Sequence, residues 1–222
     1  MKAESEQRRT MGPIESNESD SVRTPDGRHI PWRTVRGFSA MRFLAWLVLR
    51  ASGWKVEGRV PDLPKMVAIL GQHTSNWDAI WTIALKYVLI DRPVGWVMKD
   101  TAFRFPFRTL LLWLGCIPVS RKSPEGFVEQ VSRQFMAGKL CAVSIAPEGT
   151  RNRVDRWKTG FYRIAEECGV PIVPVFLDYK RRVMGAGPIV WTTGDYDADM
   201  RELARFYATV TPRHPELASE VR

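Results

Sequence analysis

The sequence predicts an α/β fold: a single domain with a mostly parallel central sheet covered by helices, preceded by a short interfacial N-terminal helix. Three observations carry this reading. Met66–Leu70, Leu140–Ile145 and Ile172–Leu177 are unbroken apolar runs of strand length, the pattern of strands buried on both faces. They alternate with stretches of helical character, as βαβ crossovers require. Glycines at 71, 138 and 169 punctuate the joins. A chain of 222 residues, 45% hydrophobic, can bury one proper core and is too short for two large domains.

From the N-terminus, residues 1–27 are rich in Ser and poor in large apolar side chains, and their charges nearly cancel; a disordered polar tail is expected. Residues 28–53 differ sharply. From Arg28 to Lys55 there is no acidic residue, and Arg28, Arg33, Arg36, Arg42 and Arg50 alternate with Trp32, Phe38, Phe43, Trp46 and leucines. Arg36 to Leu49 has helical composition, apolar nearly all round, with its arginines confined to about a third of the circumference. The uninterrupted apolar run, Phe43 to Leu49, is far short of the roughly 20 residues needed to span a bilayer. A helix lying on a membrane interface is expected, with arginine stems snorkelling and aromatic rings at headgroup depth. The competing reading is a helix packed on the core with solvated arginines.

Residues 54–212 form the expected catalytic unit, and residues 213–222 a C-terminal tail. Met66–Leu70 is the first strand and Asn76–Ile90 the helix after it. Val94–Met98 is a second strand, Phe105–Trp113 a helix and Cys116–Val119 a short strand. Ser123, with Pro124 at the first helical position, starts a helix that runs to about Ala137. Leu140–Ile145 follows as a strand, Asp155–Cys168 as a helix ending at Gly169, and Ile172–Leu177 as a strand. A last strand over Pro188–Thr192 and a closing helix over Asp197–Thr209 complete the chain.

Two polar loops, each following an apolar strand, carry the chemistry. His73-Thr74-Ser75-Asn76-Trp77-Asp78 sets a potential general base five residues from a potential orienting carboxylate. Five residues of regular helix turn through about 500°, so the pair meets only if His73 lies in the loop and Asp78 in the first helical turn. The same residues also fit a capping box, with Ser75 as N-cap and Asp78 reaching back to a free amide. The second loop is Pro147-Glu148-Gly149-Thr150-Arg151.

Together these loops resemble the glycerolipid acyltransferases, the family that contains the 1-acylglycerol-3-phosphate acyltransferases. His73 to Asp78 is similar to their H-x4-D motif and Pro147 to Arg151 to their P-E-G-T-R motif. Gly115-Cys116-Ile117-Pro118-Val119-Ser120-Arg121 resembles the G-x-x-F-I-x-R block, and Val170 to Val175 the V-P-I-V-P-V block. Lys99 sits where the family carries a lysine before an aromatic and proline segment. The resemblance spans about residues 54 to 210, in four ordered blocks. It implies a glycerol-3-phosphate acyltransferase-like fold. It also implies transfer of an acyl group from a thioester, on acyl-CoA or acyl carrier protein, to a lyso-lipid hydroxyl. His73 and Asp78 would be catalytic. Lys99, Arg121, Glu148, Gly149, Thr150 and Arg151 would bind substrate, Arg151 foremost because a guanidinium grips a phosphate with two prongs.

Two departures bear on the acceptor: Pro118 and Ala146 stand where the family carries phenylalanine. A phosphate-bearing acceptor such as 1-acylglycerol-3-phosphate is the default, and a lyso-aminolipid or glycolipid the alternative.

Other classes fit less well. A pI of about 9.8 invites a nucleic-acid reading, yet no zinc-ligand pairs, RNP-like aromatic block or basic zipper accompanies the charge. Neither Ser75 nor Ser144 sits in a G-x-S-x-G elbow, against a serine hydrolase. A non-catalytic membrane-binding protein would not need both polar loops. His29, His73 and His214 are scattered and Cys116, Cys141 and Cys168 widely spaced, so neither a metal, a cofactor nor a disulfide is expected. No secretory signal is seen, and the expected location is the cytoplasmic face of a membrane. Phe103-Arg104-Phe105-Pro106-Phe107-Arg108 reads equally as a membrane-facing lip or as phenylalanines packed inside. Lys180-Arg181-Arg182 reads as a solvated turn.

Overall fold

A computed structural model describes residues 21–33, 39–90, 92–120, 126–138 and 140–221. Strands β1 (Ser21–Arg23) and β2 (His29–Pro31) form an antiparallel hairpin with Val22 opposite Ile30. The disordered tail expected for residues 1–27 therefore does not extend over this stretch. Thr24 takes the Arg28 carbonyl through both its amide and its hydroxyl, closing the turn, and Trp32 bridges to Pro61 on the main domain. Nor is residue 28 onward all helix. Helix α1 is Ala40–Ala51, later than the expected start at Arg36, which lies outside the described residues.

Seven strands make the main sheet: β3 (Lys55–Glu57), β4 (Met66–Leu70), β5 (Val94–Lys99), β6 (Cys116–Val119), β7 (Ala142–Ile145), β8 (Ile172–Asp178) and β9 (Val183–Ala186). Their spatial order is β3-β9-β8-β4-β7-β5-β6, and every pairing is parallel except β8 with β9. The helices are α2 (Asn76–Leu89), α3 (Phe107–Trp113), α4 (Phe127–Ala137), α5 (Gly160–Cys168) and α6 (Tyr196–Tyr207).

Strand order dictates the layers. From β4 to β5 and from β5 to β6 the chain steps one way across the sheet, and from β6 to β7 to β8 it steps back. Right-handed crossovers then put α2 and α3 on one face and α4 and α5 on the other. Alternation along β4 agrees: Val67 and Ile69 pack with Phe135, Phe161 and Ile164 under α4 and α5, while Leu70 packs with Leu49 of α1 and Leu85 of α2. Burying each such side chain contributes roughly 1.5–3 kcal/mol.

Three expectations need correction. The last strand is Val183–Ala186, not Pro188–Thr192; within the latter only Val190 makes a bridge, to Ile172. Gly185 hides β9 from a sequence reading, but the sheet requires it, because a Cβ there would stand 1.7 Å from the Glu57 carbonyl oxygen of β3. Helix α5 begins at Gly160 rather than Asp155; the preceding loop sends Trp157 into the core. Residues 213–221 are no loose tail. The His214 amide donates to Thr74 Oγ1 (3.2 Å), Ser219 Oγ accepts from the Val154 amide (2.9 Å), and Val221 packs against the core. The expected helix start at Ser123 lies outside the described residues, which take up α4 at Phe127.

Candidate active site

β4 ends at Leu70, and the next three residues turn the chain out of the sheet. Gly71 is compulsory here, since a Cβ would meet the Trp157 and Tyr207 rings at 2.5 and 2.7 Å. Tyr207 of α6 holds this corner. Its hydroxyl accepts from the Gly71 amide (3.1 Å) and lies 3.0 Å from both the Ile69 and Val175 carbonyl oxygens. Gln72 follows with φ of 58°, a left-handed conformation that costs a non-glycine residue about 1 kcal/mol and is seldom adopted without a reason. The reason is visible: its amide donates to Glu148 Oε1 at 2.6 Å, and its side-chain amide to the Tyr207 carbonyl at 3.2 Å.

His73 then faces the first turn of α2. Its Nδ1 lies 3.0 Å from Asp78 Oδ2. The same oxygen accepts the amides of Thr74 (3.0 Å) and Ser75 (2.9 Å), completing a capping box with Ser75. The two readings of this motif are thus one structure: the carboxylate that caps the helix is the one that holds the imidazole. Burial alone would push the Asp78 carboxyl up, but hydrogen bonds from His73, Tyr179 and the Ser75 amide outweigh it and hold it below the usual carboxylate range. A carboxylate on Nδ1 makes that nitrogen the donor, so in the neutral ring the lone pair is on Nε2. The His73 side chain is 19% exposed and that of Asp78 3%, so the imidazole is reachable and its partner is not.

Glu148 stands at the end of β7, the strand beside β4. It is buried, it faces His73, and Oε2 has no hydrogen-bond partner among the described residues. Burial pushes its carboxyl up to about 7, against hydrogen bonds from backbone amides and the neighbouring histidine that work the other way. Gly149 has φ of 64°, and a Cβ there would meet Lys158 Nζ at 2.5 Å. Thr150 Oγ1 accepts from the Asn152 amide at 3.3 Å, and Arg151 is exposed. Lys99 ends β5, the next strand over, and is exposed as well. Since β4, β7 and β5 are parallel neighbours, all three loops leave from one edge of the sheet. His73 meets Asp78 directly, and Glu148 lies against Gln72 and His73. Lys99 and Arg151 share their edge without a hydrogen bond or ion pair to them. Arg121 lies outside the described residues.

Besides Tyr207, sequence reasoning missed two residues. Tyr179, just past β8, donates its hydroxyl to Asp78 Oδ1 at 2.6 Å. Burial and that carboxylate together push the phenol well above its ordinary value. Arg213 lies over the rings of Trp77 (5.7 Å) and Tyr179 (5.8 Å) and interacts with the Tyr179 hydroxyl. A tyrosine at the carboxyl end of a buried strand was the available clue for the first; Arg213 had none.

A family profile described as Acyltransferase matches residues 55–178, more than half of the chain. The chain belongs to this acyltransferase family. The matched span runs from β3 to the end of β8 and so contains both polar loops and the strands that carry them. Among relatives, this acyltransferase-family chain is 32% identical over 133 residues to the 1-acyl-sn-glycerol-3-phosphate acyltransferase of Haemophilus influenzae, covering 55% of this chain and 53% of that protein. It is 29% identical over 133 residues to the Escherichia coli protein of the same name, covering 55% and 52%. It is 30% identical over 98 residues to a chloroplastic one from Brassica napus, covering 42% and 25%. The chain spans about half the length of the two bacterial relatives it matches.

Proposed function

We propose that this chain transfers a fatty acyl group from an acyl thioester to a hydroxyl of a lyso-glycerophospholipid such as 1-acylglycerol-3-phosphate, by direct attack. The observation that carries the reading is the His73–Asp78 pair, 3.0 Å apart, with Nε2 of a part-exposed imidazole left to accept a proton. His73 Nε2 removes the proton as the acceptor oxygen attacks the thioester carbonyl. Asp78 holds the tautomer and stabilises the imidazolium that forms. When the tetrahedral adduct collapses, the C–S bond breaks and the imidazolium proton goes to the departing thiolate; an ester and a free thiol result. The thioester is already activated, so no side-chain nucleophile is needed.

Arg151 and Lys99, exposed cations on the same edge of the sheet, would hold the acceptor's phosphate, and Arg121 joins them on the strength of the motif resemblance alone. Glu148, near neutrality in its pKa and with one unpartnered oxygen, would take the acceptor's glycerol hydroxyl. Gly149 and Thr150 shape the loop between them. The donor is acyl-CoA or acyl carrier protein. Ala146 and Pro118, smaller than the family's phenylalanines, favour a second reading in which the acceptor is a bulkier lyso-aminolipid or glycolipid.

No helix among the described residues is long and apolar enough to cross a membrane. Six large apolar residues of α1, Met41, Phe43, Leu44, Trp46, Leu47 and Val48, are exposed while Ala45 and Leu49 pack inward. Peripheral attachment through α1 to the cytoplasmic face of an anionic membrane accounts for this surface. The deciding experiment incubates purified protein with each donor and a panel of lyso-lipids and identifies products by mass. Acylated product with wild type and none with His73→Ala supports the reading; no product from any pair overturns it.

A further inference from the structure

Helix α3 and the loop before it present apolar side chains that nothing in the described fold covers. Phe105 is 96% exposed, Trp113 71% and Phe107 61%, with Leu110 and Leu112 about half exposed beside them. Of the two readings of this segment, packing inside therefore fails for Phe105 and Phe107. Rings this exposed are uncommon unless another phase takes them up.

Their position in the fold is specific. The loop leaves β5 directly after Lys99, at the sheet edge that carries His73 and Glu148. α3 lies on the same sheet face as α2, by the handedness of the two crossovers, and α1 packs on α2. Because β3 runs antiparallel to β4, the end of α1 is also at this edge, where Trp54 touches Trp81 and Tyr179. Between α1 and α3 stands the first turn of α2, with Trp77 and Ile80 half exposed next to the dyad. The charges match an anionic surface. Arg104 and Arg108 flank Phe105, and no acidic residue occurs from Thr101 to Ser120.

We propose that the Phe105 loop and α3 are a second lipid-contacting element that, with α1 and the first turn of α2, lays the His73 edge of the sheet flat on an anionic bilayer. Two contacts separated across one face fix orientation, which a single helix does not. The reacting hydroxyl of a membrane-held lyso-lipid then reaches His73 without leaving the interface. This last step rests on the acyltransferase reading; the lipid contact does not.

The test uses the full chain and vesicles of phosphatidylglycerol and phosphatidylcholine, with binding read by co-sedimentation. Phe105→Ser/Phe107→Ser/Trp113→Ser, with α1 intact, should lower vesicle partitioning at least tenfold, since each ring contributes a fraction of a decade or more. Phe105→Ser alone, at a side chain almost wholly in solvent, should lower it by several-fold and cannot act by unfolding the domain. Arg104→Gln/Arg108→Gln should flatten the salt dependence of binding. In assays, the triple variant should lose acylation of vesicle-embedded lyso-lipid while keeping it on a short-chain, water-soluble acceptor. Unchanged partitioning of both serine variants overturns the proposal. So does a wild-type dimer in sedimentation velocity that the triple variant abolishes, which would make this face a contact between copies of the chain. A shift in partitioning with no acylation of any acceptor leaves the lipid contact standing and removes the enzymatic reading instead.

Discussion

The Tyr179 hydroxyl donates to Asp78 Oδ1 at 2.6 Å while His73 Nδ1 sits on Oδ2 at 3.0 Å, so the two oxygens of one buried carboxylate are claimed by residues 106 positions apart (179 − 73). Asp78 is thereby held by four hydrogen bonds, two from backbone amides and two from side chains. Tyr179 draws charge from the carboxylate, and Arg213 behind it adds a cation.

Removing that hydroxyl should be readable in a pH profile. In Tyr179→Phe the carboxylate keeps more negative charge and stabilises the imidazolium of His73, so the acidic limb of kcat/KM should move to higher pH. Turnover should fall on the order of tenfold, less than the roughly 10²–10⁴-fold that loss of the proton-transfer group itself costs, because His73 and Asp78 both remain. Arg213→Gln should shift the limb the same way by less. Glu148, the other acid facing His73, is unchanged in both variants. A limb that stays in place with only Tm lowered would make Tyr179 a packing residue.

His73→Ala should lower kcat by about 10²–10⁴-fold with the fold intact, as loss of a general base does. Asp78→Asn should be severely impaired as well, through the wrong tautomer. Asp78→Ala should in addition lose the helix cap and about 1 kcal/mol of stability, measurable by urea unfolding. Near-normal turnover of a folded His73→Ala protein would remove the base assignment.

Glu148 makes stability depend on pH in a defined direction. Its folded pKa, about 7, is above the ordinary 4.5, so the folded state binds the proton more tightly than the unfolded one. This contribution is fully present below pH 4.5 and is lost as pH rises through 7, by an amount of order 3 kcal/mol at most. Glu148→Gln, which cannot ionise, should be relatively more stable than wild type at pH 8 than at pH 5. Parallel unfolding curves for the two proteins across that range would contradict the buried, protonated carboxyl.

Arg151→Ala should raise KM for a phosphate-bearing lyso-lipid by about tenfold or more and leave KM for the acyl donor nearly unchanged, since a two-pronged phosphate contact contributes a few kcal/mol at best. Arg151→Lys should recover part of the loss, and Lys99→Ala should act in the same direction by less. Equal impairment toward charged and uncharged acceptors would assign Arg151 to loop order around Glu148 instead.

What the sequence determined was everything governed by near neighbours. Met66–Leu70, Cys116–Val119 and the start of α2 at Asn76 are where their apolar runs and caps indicate, because a strand buried on both faces and a capping box are written within a few residues. The His73–Asp78 contact was legible for the same reason: five positions across a strand-to-helix turn leave one arrangement in which the two meet. Tertiary structure decided the rest. The glycine-bearing β9 is a strand because it pairs with β8 on one side and β3 on the other, and β3 because residues 55–57 meet 183–185 at close range, relations that no local pattern carries. The elevated pKa of Glu148 arises from burial beside Gln72 and His73, and its sequence neighbours do not announce it. Tyr179, Tyr207 and Arg213 reach the site only because β8, α6 and the final residues close over the edge where β4 ends, and a hydrogen bond's partner across a hundred residues is set by the fold's geometry, not by periodicity.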